Sequence, residues 1–231
     1  MNFKIKKFTS QTTFSCNVYI LENETQTIVI DPGYYEGELK EYIKSIGKID
    51  YILITHGHFD HIAGLDEMVK DNPNTKVIIS EKDSEFLENP DLNVSFIANG
   101  KKVIEKTKPQ TINEEKIQLN DYEVEIYYTP GHTKGSCMYY FKKDKLLFTG
   151  DTIFADSYGA IHWPTGNGHD MYESIQKFIN LGLPDDVKIM PGHGEEADYK
   201  TVKTNLSNMI WCLNKKEEKV WKNQKYISQK K

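Results

Sequence analysis

The chain contains no arginine: all 29 of its basic residues are lysine. The flat, two-pronged clamp that a guanidinium offers to carboxylates and phosphates is therefore missing, so an anionic substrate must be held by lysine, backbone amides, hydroxyls or a metal. Cysteine is scarce too. Cys16, Cys137 and Cys212 are odd in number, widely spaced and without a Cys-x-x-Cys pair, which reads as reduced, structural thiols. No apolar run approaches the length of a membrane span, and the positive stretch from Met1 to Lys7 is not followed by an apolar core. Neither a transmembrane helix nor a signal peptide is expected, and the cytoplasm is the default location. A net charge of −5, with 27% charged and 38% hydrophobic residues, leaves no basic surplus for nucleic acid or an anionic membrane. The expected partner is a small molecule. The 231 residues suffice for one large domain with a sizeable core.

What is concentrated is histidine. Thr55-His56-Gly57-His58-Phe59-Asp60-His61 follows the apolar run Tyr51-Ile52-Leu53-Ile54. Three imidazoles and a carboxylate this close would repel one another once protonated and gain little from packing, so a divalent cation is their natural explanation. The rival is a solvated histidine-rich loop. The apolar run reads as a buried strand, the histidines as the loop at its end, and Ala63-Gly64-Leu65 as the start of a helix. Gly57 is expected to free the backbone so that alternate side chains can be aimed around a metal.

Along the chain, residues 17–21 and 27–30 read as a β-hairpin that stops at Asp31-Pro32-Gly33. Asp31 is either a turn-former or a partner that orients a ligating histidine. Helical spacing follows at Leu39, Ile43 and Ile46, and again over 62–69 and 81–87, with a strand at 76–79 between the last two. Residues 89–116 carry Asn-Pro, Asn-Gly and Lys-Pro breakers and read as loops and short strands. Alternation returns at Val124, Ile126 and Tyr128, then come a hairpin (138–141 and 146–148), a long loop (153–170), a helix (172–181) and a strand (187–190). A helical pattern from 198 to 221 offers Met209, Ile210, Leu213, Val220 and Trp221 for docking. His132, Asp151 and His193 each sit just past an apolar strand and beside a glycine, which suits side chains projecting into one shared cleft.

His-x-His-x-Asp-His, then Pro-Gly-His-Thr (130–133), Gly-Asp-Thr (150–152) and Pro-Gly-His-Gly (191–194) resemble, in this order, the metallo-β-lactamase superfamily, and most of all its glyoxalase II-type hydrolases. The resemblance covers roughly residues 1–210. It implies an α/β fold, an αββα sandwich of two mixed β-sheets flanked by helices, with 211–231 a C-terminal helical extension of the same domain. Matched residue by residue, it implies that His56, His58 and His132 bind a first metal, that Asp60, His61 and His193 bind a second, and that Asp151 bridges them. Zinc suits nitrogen-rich ligands of this kind, and similar hydrolases also use iron or manganese. The superfamily's flavin-linked di-iron proteins carry glutamate where this chain has His58, which favours the hydrolytic type.

The implied chemistry is hydrolysis of a thioester or related small acyl ester. A water shared by two dications falls in pKa from about 15.7 toward about 7, which supplies a hydroxide, and Asp60 is placed to orient it and move a proton. Two other activities share the motifs. A persulfide dioxygenase would hold one Fe(II) on His56, His132 and Asp151; a lactonase or phosphodiesterase is the third reading. Ala160 stands where many glyoxalase II-like proteins have arginine, and only 38 residues follow His193, against a longer basic helical region in glyoxalase II. A shorter hydrolase with a more open site is the better fit. Tyr158, His162 and Trp163 in the long loop, with His169 and Lys134, are the candidates for substrate contact, and Cys137 reads as a buried small hydrophobe.

Overall fold

A computed structural model of the chain describes residues 3–9, 14 and 16–210. The first sheet contains β1 (Lys4–Thr9), β2 (Asn17–Glu22), β3 (Thr27–Ile30), β4 (Tyr51–Ile54), β5 (Lys76–Ser80) and β6 (Gln110–Ile112), side by side in chain order. β1 to β3 pair antiparallel and β3 to β6 parallel. The second sheet contains β7 (Lys116–Leu119), β8 (Tyr122–Tyr128), β9 (Cys137–Phe141), β10 (Leu146–Gly150), β11 (Lys188–Pro191) and β12 (Ala197–Asp198), again in order. All its pairs are antiparallel except β10 with β11.

The two sheets face each other and helices cover both outer faces. In β4 the alternation of side chains sorts a wholly apolar run into two cores. Tyr51 and Leu53 point inward and meet Tyr139, Phe141 and Phe148 of the second sheet. Ile52 and Ile54 point outward, beneath α1 (Gly37–Ile46) and α3 (Leu65–Asp71), where they meet Leu39, Ile43, Leu65 and Met68. β9 repeats the plan: Cys137, Tyr139 and Phe141 face the first sheet, while Met138 and Tyr140 face α5 (Gly168–Ile179) and the helical residues 199–210. Each fully buried Leu, Ile or Phe contributes roughly 1.5–3 kcal/mol, so the paired apolar faces fix which ends of the strands lie together. The result is the αββα sandwich that the motifs imply.

Local differences have physical reasons. The helix expected over 62–69 is broken: α2 (Phe59–Ile62) ends before Gly64, and α3 starts after it. Residues Glu81–Leu87 form a 3₁₀ helix, and the region from 89 to 116 also holds α4 (Ser95–Asn99). α5 begins earlier than its apolar spacing indicates, because Asn167 caps it by accepting hydrogen bonds from the amides of His169 and Asp170. The helical pattern is observed to residue 210; the extension over 211–231, with Cys212, Leu213, Val220 and Trp221, lies outside the described residues. Among the described residues no helix is long and apolar enough to cross a membrane.

Candidate metal centre

One strand end delivers four of the seven expected ligands. β4 stops at Ile54, and the chain turns through His56 and His58 into α2, whose first turn carries Asp60 and His61. β8, β10 and β11 deliver the others from the facing sheet, each just past its last residue: His132, Asp151 and His193. Gly150 makes the Asp151 placement possible. Its φ of 50° lies in the left-handed region, the β10–β11 register shifts there, and a Cβ on it would lie 2.5 Å from Thr55 Oγ1. The role expected for Gly57 is different from the one observed. Its backbone is not in the left-handed region; a Cβ would instead lie 2.3 Å from the Cβ of Phe86, so close packing on the 3₁₀ helix is what demands glycine.

The donor atoms gather into three overlapping groups, His56/His58/His132, His56/His61/Asp151 and Asp60/His61/His193, each with its atoms within 4.8 Å of one another. His58 Nδ1 lies 2.8 Å from His132 Nε2, and His61 Nε2 lies 3.4 Å from His193 Nε2. Asp151 stands between these pairs. Its Oδ1 is 3.3 Å from His61 Nε2, and its Oδ2 is 3.5 Å from His132 Nε2 and 3.2 Å from His193 Nε2.

A ring of outer partners fixes the imidazoles. Asp31 Oδ2 lies 2.9 Å from His61 Nδ1 and accepts a hydrogen bond from Thr55 Oγ1, while its Oδ1 accepts one from the Thr55 amide. Asp31 also has a φ of 53°, so it turns the chain and orients a histidine at once; turn formation alone does not describe it. Thr55 Oγ1 lies 3.1 Å from His56 Nδ1. The Ala160 carbonyl accepts from His132 Nδ1 at 2.7 Å, which leaves Nε2 of a neutral ring as an acceptor lone pair toward the cluster.

Charge divides the cluster. Burial, reinforced by neighbouring imidazoles, holds His56 and His58 well below the usual histidine range, and burial also lowers His132. His61 is raised well above it: burial opposes the charge, but Cys16 and the carboxylates of Asp151, Asp60 and Asp31 together outweigh it. Against the same burial, Asp151 and Asp60 raise His193 to about 10. Burial would also raise Asp151 and Asp60, yet His193 and His61 hold both carboxylates low. One half is therefore a neutral nitrogen trio, and the other a mesh of carboxylates and protonated rings.

Whether these residues suit a cation is decided by their unmet bonding. His56 Nε2 and His58 Nε2 are buried without a hydrogen-bond partner, and Asp151 Oδ1 meets only the His61 ring, at 3.3 Å. Orphaned buried acceptors cost free energy, and divalent cations satisfy imidazole nitrogen and carboxylate oxygen together. The donor set fits.

The sequence profile of the metallo-β-lactamase superfamily matches residues 12–193. The chain belongs to the metallo-β-lactamase superfamily. Within the superfamily it is 35% identical over 183 residues to a probable metallo-hydrolase of Streptococcus pyogenes, covering 77% of this chain and 78% of that one. It is 33% identical over 170 residues to a hydroxyacylglutathione hydrolase of Buchnera aphidicola, covering 71% of this chain and 57% of that one. Among solved structures it superposes on the B3 metallo-β-lactamase BLEG-1 with a TM-score of 0.77 at 27% identity, covering 86% and 95% of the two chains.

The expected substrate-contact residues have different surroundings, on or beside the loop whose Ala160 carbonyl holds His132. Tyr158 bridges to Ile153 and packs against the outer core of the second sheet. His162 is exposed and its ring lies tilted against Trp163, with centroids 4.6 Å apart. Lys134 pairs with Glu85 at the surface, and His169 is exposed at the start of α5. Cys137 is buried in the core between the sheets, as a small hydrophobe. Sequence reasoning passed over Asp83. This carboxylate, within the stretch 81–87 that reads as a helix, is completely buried, and burial raises it to about 6 against hydrogen bonds from Thr133, Gly57 and Gly135.

Proposed function

We propose that the chain is a binuclear metal hydrolase of the superfamily, acting in the cytoplasm on a thioester or related small acyl ester. The observation that carries this reading is Asp151, whose two oxygens reach the histidines of both donor groups. His56, His58 and His132 would hold one divalent cation, Asp60, His61 and His193 a second, with Asp151 shared. Zinc is the first candidate, with iron or manganese as alternatives. When bound, the pair supplies Lewis acidity, which acidifies water toward neutral pH and polarises an acyl carbonyl.

The chain's own residues do the rest. Asp31, Thr55 and the Ala160 carbonyl lock ring orientations before substrate arrives, which removes reorganisation from the reaction. Asp60, kept ionised by His61 and His193, lies 3.2 Å from His193 Nε2 at the less buried end of the cluster. It is placed to accept a proton from an attacking water and to pass it toward the leaving thiol. His193, with 35% of its side chain exposed, marks the side from which substrate enters. The adjoining His162 and Trp163, with Tyr158 and Lys134, are the candidates to contact the acyl or thiol portion.

Metal content per chain on protein purified without added metal, followed by hydrolysis of S-lactoylglutathione and a simpler thioester, tests this. Two metals with thioester turnover support it. One iron per chain, with oxygen uptake on a persulfide and no hydrolysis, would replace it with the dioxygenase; turnover confined to lactones or phosphodiesters would move the substrate class.

A further inference from the structure

Asp83 lies on the 3₁₀ helix behind the histidines, and its carboxylate joins the two ligand-bearing loops. Oδ2 accepts the Gly57 amide at 3.0 Å and the Thr133 hydroxyl at 2.6 Å; Oδ1 accepts the Gly135 amide at 2.7 Å. Gly57 separates His56 from His58, and Thr133 follows His132. A single side chain thus ties the end of β4 in one sheet to the loop between β8 and β9 in the other. The same loops are seated tightly: a Cβ at Gly57 would strike Phe86, and one at Gly135 would lie 2.4 Å from Asp83 Oδ1. Thr133 is held in turn by Ser136, its Oγ1 lying 2.7 Å from Ser136 Oγ.

A buried carboxylate is expensive, and core packing would be served better by an apolar residue. What the carboxylate offers is acceptors alone, aimed at three donors from two loops. Resting on the metal-centre reading above, we infer that Asp83 is a positioning residue that sets the spacing of His56 and His58 against His132, and so governs metal affinity at that group selectively. Asp83 makes its hydrogen bonds to Gly57, Thr133 and Gly135, none of which belongs to the other group, where His61 is held directly by Asp31.

Cobalt(II) titration tests this on full-length apo-protein, with metal-to-protein ratio, the visible spectrum of the bound ion and far-UV circular dichroism as readouts. Asp83→Asn turns one acceptor into a donor facing a donor. It is expected to weaken one of two cobalt sites by about 10–100-fold, the range for lost outer partners of metal ligands, and to leave the second at wild-type affinity. The ion retained should match spectroscopically the one retained by His58→Ala. Thr133→Val keeps the side-chain volume and removes one donor, so it should weaken the same site less; it carries the test if Asp83→Asn does not fold. Wild-type protein binding two cobalt ions, with both variants binding two at unchanged affinity or weakened equally at both sites, would overturn the inference alone. Wild-type protein taking up no cobalt would overturn the metal centre and this inference together.

Discussion

The two halves of the centre share one carboxylate and differ in almost everything else. His56, His58 and His132 are buried, neutral and braced from behind by Asp83. Asp60, His61 and His193 form a charged mesh that opens outward at His193. A buried neutral trio is ready for a cation without releasing protons. The open half must release them first, because carboxylates that attract a metal also attract protons. On the proposed function, the contrast would give each half a role: one would anchor, and the other would meet substrate.

The severest test removes what the halves share. Asp151→Ala should fold, since the αββα cores do not include that side chain, yet lose several kcal/mol of transition-state stabilisation, about a thousandfold in rate. Steady-state kinetics with metal analysis on the same sample checks it; an unchanged rate at normal metal content would break the seven-ligand assignment. Asp31→Asn should act mainly on the open half, because Asp31 touches His61 directly and reaches His56 only through Thr55. One amide oxygen cannot accept from His61 Nδ1, Thr55 Oγ1 and the Thr55 amide as two carboxylate oxygens do, so affinity at the open site should fall about 10–100-fold and that at the buried site, reached through Thr55 and His56, should fall less. Equal losses at both sites would erase the distinction.

Proton release sharpens the same comparison with a smaller signal. His61 and His193 titrate above their usual range, so loading the open site near pH 7.5 should expel about two protons, while loading the buried site should expel about none. Affinity at the open site should therefore climb as pH rises toward 10, and the buried site should stay level. Calorimetric titration in buffers of different ionisation enthalpy reads both numbers. Release shared evenly between the two binding events would contradict the division.

Most of this centre is legible in the sequence for a geometric reason. Side chains set by a strand end and its following glycine have positions fixed by local chain, so His56, His58, Asp60 and His61, and then His132, Asp151 and His193, can be found by their motifs. The strand alternation was legible likewise, because both faces of β4 are covered and the run is wholly apolar. Asp83 was not, since a carboxylate flanked by Lys82, Ser84 and Glu85 looks like any solvated helix face until Gly57 and Thr133 are seen against it. Gly57 shows the same limit, for its neighbour Phe86 is far along the chain. Contacts between segments distant in sequence leave no local period to read.

Glu105 completes the comparison from outside the centre, as a buried carboxylate that accepts its hydrogen bond from a backbone amide. Asp151 is held low by two histidines; Glu105 is pushed up to about 7, chiefly by burial and further by the neighbouring Asp66 carboxylate, against one hydrogen bond from the Asp66 amide at 2.6 Å. A folded-state pKa above the ordinary 4.5 means that folding favours the protonated form, so its contribution to stability is fullest below pH 4.5 and is lost as pH rises to 7. Glu105→Gln keeps an acceptor for the Asp66 amide and removes the charge. It should raise stability at pH 8 by roughly 1 kcal/mol, about 2–4 °C in melting temperature, and change little at pH 5. Thermal melts of both proteins at the two pH values measure this. A gain of equal size at pH 5 would place the effect in packing instead of charge, and would leave the histidines around Asp151 without their contrast.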